Sequence, residues 1–191
     1  EFMRNQSQIT TEHQKELSTT QAALKKWSEF VESLGIYVVQ YPLSDEDNIR
    51  AFSIHKDNRA IIVLNTSDVL EGRIFSLFHE LCHLLRRSYG FCDLHNSLSS
   101  STEVFCNAFS AAFLVPMEMV KRFIGSIGQR EFRAKLDLNV GILAHLLKVS
   151  RLVIYRRLST LGLISDKDYS EIHERLLRKF IKPHVKGSTG G

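Results

Sequence analysis

The chain is expected to fold in the α+β class, as a small antiparallel sheet packed with helices and followed by a small helical subdomain. Three observations predict this. Ala51 to His55 and Ala60 to Leu64 are short apolar runs joined by Lys56-Asp57-Asn58-Arg59, a turn composition that makes an antiparallel hairpin. Apolar residues recur at helical spacing on both sides of that hairpin. Finally, Gly141 to Leu163 holds two helical patterns separated by Lys148-Val149-Ser150, which is helix-turn-helix spacing.

In chain order, residues 4–18 are polar and weakly patterned, so 1–19 is expected to be a flexible N-terminus in which a frayed helix can form, with Glu1-Phe2 before Met3 resembling a cloning remnant. Ala23, Leu24, Trp27, Phe30, Val31 and Leu34 mark a first helix, and Gly35 is placed to stop it. Ile36 to Tyr41 is β-branched and aromatic and ends at Pro42, the pattern of a strand. Ser44 to Asn48 is an acidic loop, and the hairpin follows it. Asn65, Thr66 and Ser67 can end the last strand and lead into a helix over Glu71 to Arg87.

Tyr89 to Leu98 breaks the periodicity and is expected to be a loop. The next helix begins around Ser99 to Glu103, carries Val104, Phe105, Ala108, Phe109, Ala112 and Phe113 on an apolar face, and ends at Pro116. A short helix over Val120 to Ile124 precedes Gly125-Ser126-Ile127-Gly128, the best boundary in the chain. Residues 20–124 and 125–181 are therefore the expected units. Beyond the boundary lie a short helical pattern over Phe132 to Leu136, the helix-turn-helix pair with Ser150 capping its second helix, and an amphipathic helix over Tyr169 to Ile181. That last helix turns Ile172, Leu176, Leu177 and Phe180 inward. Residues 182–191 are expected to be a flexible basic tail.

Composition narrows the class without naming it. With 191 residues, 43% apolar and 24% charged, the chain suits one domain or one domain with an appendage. A net charge of +4 permits an acidic or nucleic-acid partner but decides nothing. Cys82, Cys92 and Cys106 are odd in number and lack paired spacing, which argues for a reducing compartment. No leader and no apolar run of about 18 residues is visible, so the cytoplasm is the expected location and no membrane contact is expected.

The chemistry sits in Phe78-His79-Glu80-Leu81-Cys82-His83-Leu84. On a helix advancing about 100° and about 1.5 Å per residue, His79 and His83 project from one face a turn apart, close enough to share one ion. Glu80 then points beside that ion. A catalytic zinc needs neutral imidazole ligands, an open position for water, and a carboxylate that takes the water's proton without occupying the metal. Core histidines bonded to backbone or water are the plainer alternative. The surrounding Phe75, Leu77, Phe78, Leu81, Leu84 and Leu85 favour the metal, because they bury both rings where unpaired polar atoms are costly.

An extended signature would require a glycine at position 86 and a histidine at position 89, where Arg86 and Tyr89 stand. What remains is a glutamate from a following helix, the two-His, one-Glu set of thermolysin-like sites. Glu103 is the best placed. Ser100-x-x-Glu103 is equally a capping box, in which the carboxylate reaches back to a backbone N–H, and the spacing supports both uses. Cys92, Asp93 and His95 are alternatives in the loop, which fixes a ligand less rigidly than a helix does.

At this point two linked motifs carry a resemblance. Phe75-x-x-x-His79-Glu80-x-x-His83-Leu84-Leu85, followed by Glu103-x-x-x-Asn107-x-Phe109-x-Ala111-x-x-Leu114-x-Pro116, resembles the ImmA/IrrE family of metallopeptidases over roughly residues 24–116. The resemblance implies a minimal zincin-like domain, zinc on His79, His83 and Glu103, and Glu80 as general base. It also implies a helix-turn-helix transcriptional repressor as protein substrate, whose cleavage would relieve repression. Cys82 and Cys106 depart from the pattern, standing where the family usually has Gly and Ala. Oxidation of Cys82 could tune the site; filling space as a small apolar residue is the favoured reading.

The rival reading is a DNA-binding regulator, or a catalytically silent interaction protein, with a structural metal. Lys148, Arg151, Tyr155, Arg156 and Arg157 would then face phosphates. If the chain is an endopeptidase, His145, Tyr155 and His173 are possible oxyanion donors, and no spacing rule selects among them.

Overall fold

Local sequence signals set most of the element ends in the computed structural model, which describes residues 2–43, 49–57, 59–87 and 100–180. Thr19 accepts a hydrogen bond from the Ala22 N–H and starts α3 (Thr20–Ser33). Gly35, at φ 82, ends it in the left-handed region that glycine tolerates. Three strands follow, β1 (Ile36–Tyr41), β2 (Ala51–Lys56) and β3 (Arg59–Asn65). Asn65 fastens the turns around them: its Oδ1 accepts from the Leu43 and Ser67 N–H groups, and its Nδ2 donates to the Ile49 carbonyl.

The sheet departs from the expectation in one respect. β2 and β3 form the expected antiparallel hairpin, with Ser53 opposite Ile62, but β1 runs parallel to β3. The order is β1-β3-β2. A mixed sheet results because the chain leaves β1, passes to the far side and returns through the hairpin, which inserts β3 between the other two strands. The α+β class stands, with a mixed rather than wholly antiparallel sheet. Ala60, Ile62 and Leu64 of β3 are buried, whereas Tyr37, Val39, Tyr41 and Ile54 lie exposed on the outer face.

Helices cover the inner face. α4 (Leu70–Arg87) and α5 (Ser100–Leu114) pack on each other and, with α3, enclose an aromatic cluster. Phe78 and Phe113 stack at 4.2 Å between centroids, and Trp27 meets both rings edge-on at 5.4 and 5.8 Å. Such pairs add about 0.5–1.5 kcal/mol each beyond area burial and fix how α4 sits against α5.

α6 (Met117–Ile127) begins after Pro116, runs through Gly125 and stops at Gly128, φ 86. It is longer than expected because Gly125 weakens a helix without breaking it. α7 (Gln129–Ala134), α8 (Leu136–Leu147), α9 (Arg151–Thr160) and α10 (Asp166–Phe180) complete the chain. Ser150 accepts from the Val153 N–H, as its capping role requires, and α8 and α9 meet at 109°. Ile172 and Leu176 of α10 pack against the core. Val140, Leu143, Leu147, Ile154 and Leu158 join the same continuous apolar cluster as Leu24, Trp27 and Phe78.

Of residues 1–19, expected to be a flexible N-terminus in which a frayed helix can form, the structure describes 2–19. They form α1 (Phe2–Gln6) and α2 (Thr11–Glu16). Gln14, fully buried, donates to the carbonyls of Leu114 and Leu147, the last residues of α5 and α8. Arg4 donates to the Phe113 carbonyl and to Gln14 Oε1, and lies over the Trp27 ring. Burial lowers its pKa to about 10. The segment shows little apolar periodicity because polar side chains bind it to helix ends. The loops at 44–48 and 89–98, the side chains of Leu177 and Phe180, and the tail 182–191 lie outside the described residues.

Candidate metal centre

α4 buries Ile74, Leu77, Phe78 and Leu81 and carries His79, Glu80 and His83. His83 is 8% exposed. The Nε2 atoms of His79 and His83 approach to 3.0 Å. Glu103, in the first turn of α5, brings Oε2 to 3.1 Å from His79 Nε2 and Oε1 to 3.2 Å from His83 Nε2. Both oxygens are turned to α4, the arrangement that the ligand reading requires.

Among the described residues, His79, His83 and Glu103 form a group that could hold a metal ion, with ligand atoms within 4.8 Å of one another. The donor chemistry fits. Two imidazole nitrogens and a carboxylate converge, and their electron pairs repel unless a proton or a metal cation lies between them. Tetrahedral ligands about 2.0–2.1 Å from zinc are separated by about 3.3 Å, close to the observed spacings. His79 Nδ1 is buried without a hydrogen-bond partner among the described residues, although second-shell contacts usually orient a ligand's other nitrogen.

Glu80 lies one residue from the trio and accepts a hydrogen bond of 2.7 Å from Ser53 Oγ on β2. Ser53 was not singled out in the sequence, where it is one polar residue in a short strand. A signal existed: the strand alternation places it on the same face as Ala51 and His55, opposite buried Ile62, and a hydroxyl turned inward needs a partner.

Cys82 of α4 and Cys106 of α5 are both buried free thiols. Burial pushes both thiols up, which accords with their use as small apolar fillers. Cys92, Asp93 and His95, the loop alternatives for the third ligand, lie outside the described residues.

The helix-turn-helix residues are placed less simply than their sequence implies. Tyr155 is buried and its hydroxyl donates to Asp137, so it cannot face phosphates. Its apolar neighbours on α9, Val153, Ile154 and Leu158, draw that face into the core. Arg157 donates from Nε to the Val115 carbonyl, and Arg156 lies over the Tyr169 ring. Lys148 donates to the His145 carbonyl, and Arg151 is exposed. As for the possible oxyanion donors, Tyr155 is committed to Asp137, His173 packs against Tyr169 on α10, and His145 is exposed on α8.

Among the described residues, no single helix is long and apolar enough to cross a membrane. No curated protein matches the chain. A family model does: that of the IrrE N-terminal-like domain, Peptidase_M78, over residues 31–159. The match takes in the hairpin, both helices of the metal centre and the helix-turn-helix pair, and so reaches past the residues that carry the motif resemblance. The chain therefore belongs to the IrrE N-terminal-like family of metallopeptidases.

Proposed function

We propose that the chain is a zinc-dependent endopeptidase that hydrolyses a peptide bond in a helix-turn-helix transcriptional repressor and so relieves repression. The observation that carries the chemical part is the convergence of His79, His83 and Glu103 with a carboxylate, Glu80, beside them. The repressor as substrate is supported by the motif resemblance.

His79 and His83, as neutral imidazoles, and Glu103, as a carboxylate, would hold the ion. A bound zinc supplies Lewis acidity, making water nucleophilic near neutral pH and polarising the peptide carbonyl. Glu80 takes the proton from the attacking water and delivers it to the leaving amine, so hydrolysis is direct, with no acyl-enzyme. β2 is an edge strand, given the order β1-β3-β2. An extended segment of the repressor can pair with it, which confines cleavage to flexible stretches.

The test is incubation of zinc-loaded protein with the repressor encoded beside its gene. Wild type should cut it once, and Glu80→Gln should keep its zinc while losing at least about a hundredfold in rate, the usual worth of a general base. Cleavage by Glu80→Gln at the wild-type rate would sink the mechanism. DNA binding is the second reading, supported by exposed Arg151 and weakened by Tyr155 and Arg157 being held by protein groups; a salt-dependent mobility shift with duplex DNA would support it.

A further inference from the structure

We infer that Ser53 is the positioning residue for Glu80, holding its carboxylate beside the metal ligands as a base and keeping it off the metal. This rests on the peptidase reading above. A glutamate has three rotatable side-chain bonds, and this one follows His79 directly on α4. Left free, it could swing onto the ion as a fourth protein ligand and fill the position that a catalytic site leaves for water.

Ser53 prevents that swing by geometry. Its hydroxyl donates to Glu80 Oε2 at 2.7 Å, a short charge-assisted bond. The other oxygen, Oε1, remains for the proton. Ser53 is itself held firmly, since β2 pairs in register with β3 from Ala51 opposite Leu64 to Lys56 opposite Arg59. The base is thus carried by the same helix as two of the ligands, and its carboxylate is held by a strand across from them. β2 is also the edge strand proposed to align substrate, so the base and the scissile bond would share one platform.

A serine at this position has no evident packing role. Its neighbours on the same face, Ala51 and His55, flank a site opposite Ile62, where an aliphatic residue would bury more apolar surface. The hydroxyl is explained by the carboxylate it meets.

The experiment compares wild type, Ser53→Ala, Ser53→Thr, Glu80→Gln and the double variant Ser53→Ala/Glu80→Gln. Two quantities are read: zinc affinity by competition with a chromophoric chelator, and cleavage of β-casein as a generic unfolded substrate. Ser53→Ala should bind zinc several-fold more tightly than wild type, because the freed carboxylate becomes a ligand. The same substitution should change nothing on the Glu80→Gln background. In cleavage, Ser53→Ala should lose about tenfold in kcat at unchanged KM, and Ser53→Thr, which keeps the hydroxyl, should restore it.

Unchanged zinc affinity in Ser53→Ala overturns the inference, as does full cleavage by Ser53→Ala where wild type is active. If wild type and Glu80→Gln do not differ on any protein substrate, the peptidase reading fails instead. The zinc comparison still decides whether Ser53 restrains Glu80.

Discussion

Cys82 neighbours a proposed metal ligand, His83, and Cys106 follows Glu103 by one helical turn, yet burial disfavours the reactive form of both thiols. Each is buried as a free thiol, and burial raises both above the ordinary thiol range. The thiolate, not the thiol, reacts with alkylating agents. In native protein at pH 8, iodoacetamide should modify both at least about a hundredfold more slowly than an exposed cysteine, and in urea both should react freely. Peptide mapping by mass distinguishes them from Cys92. Rapid native alkylation of either would show that the α4–α5 contact opens readily. Glu103 makes the complementary point: spacing alone allows a cap or a ligand equally, and the two carboxylate oxygens at the histidines are the arrangement that the ligand use requires. Ser53 was hidden because one strand position has no meaning until the helix across from it is known.

The ends of α5 and α8 are joined by a side chain from α2. Gln14 gives both N–H bonds of its amide to the Leu114 and Leu147 carbonyls and accepts from Arg4. Helix C-termini leave carbonyls without partners, and these two are capped from a distant segment. Gln14→Leu preserves the bulk but leaves those acceptors unsatisfied, so it should lower unfolding stability by about 2–6 kcal/mol, at about 1–3 kcal/mol per buried group left unpaired. A urea transition reads this as a lower midpoint with unchanged slope. An unchanged midpoint would mean that water replaces the amide. Elements whose order comes from their own residues were legible in the sequence: α3 with Gly35 as its stop, the β2–β3 hairpin, and α9 with Ser150 as its cap. α1 and α2, legible only as a frayed helix, and the parallel pairing of β1 were not, because they depend on partners far along the chain. Gln14 meets residues 100 and 133 positions away, and no local periodicity records that.

Across the whole molecule, the candidate metal centre joins the two halves of the inner layer, with two proposed ligands on α4 and one on α5. In the unfolded chain, His79 and His83 remain four residues apart, but Glu103 is twenty positions beyond His83. Only folding assembles the full set, and metal affinity is then linked to stability. At a free-metal concentration a hundred times the dissociation constant, this linkage contributes about 2.7 kcal/mol. For a chain of this size, that is a shift of about 5–10 °C in the melting temperature. Dialysis against a chelator should therefore lower the melting temperature by this amount, and added zinc should restore it. Glu103→Ala should melt near the chelated wild type and respond much less to zinc, since two histidines on one turn of helix bind the ion with or without α5. An equal zinc response in Glu103→Ala would remove the glutamate from the site. A response lost only in Glu103→Ala would place the link between α4 and α5 at the ion, with the Phe78–Phe113 stack and the Cys82–Cys106 pair supplying the contact that persists without it.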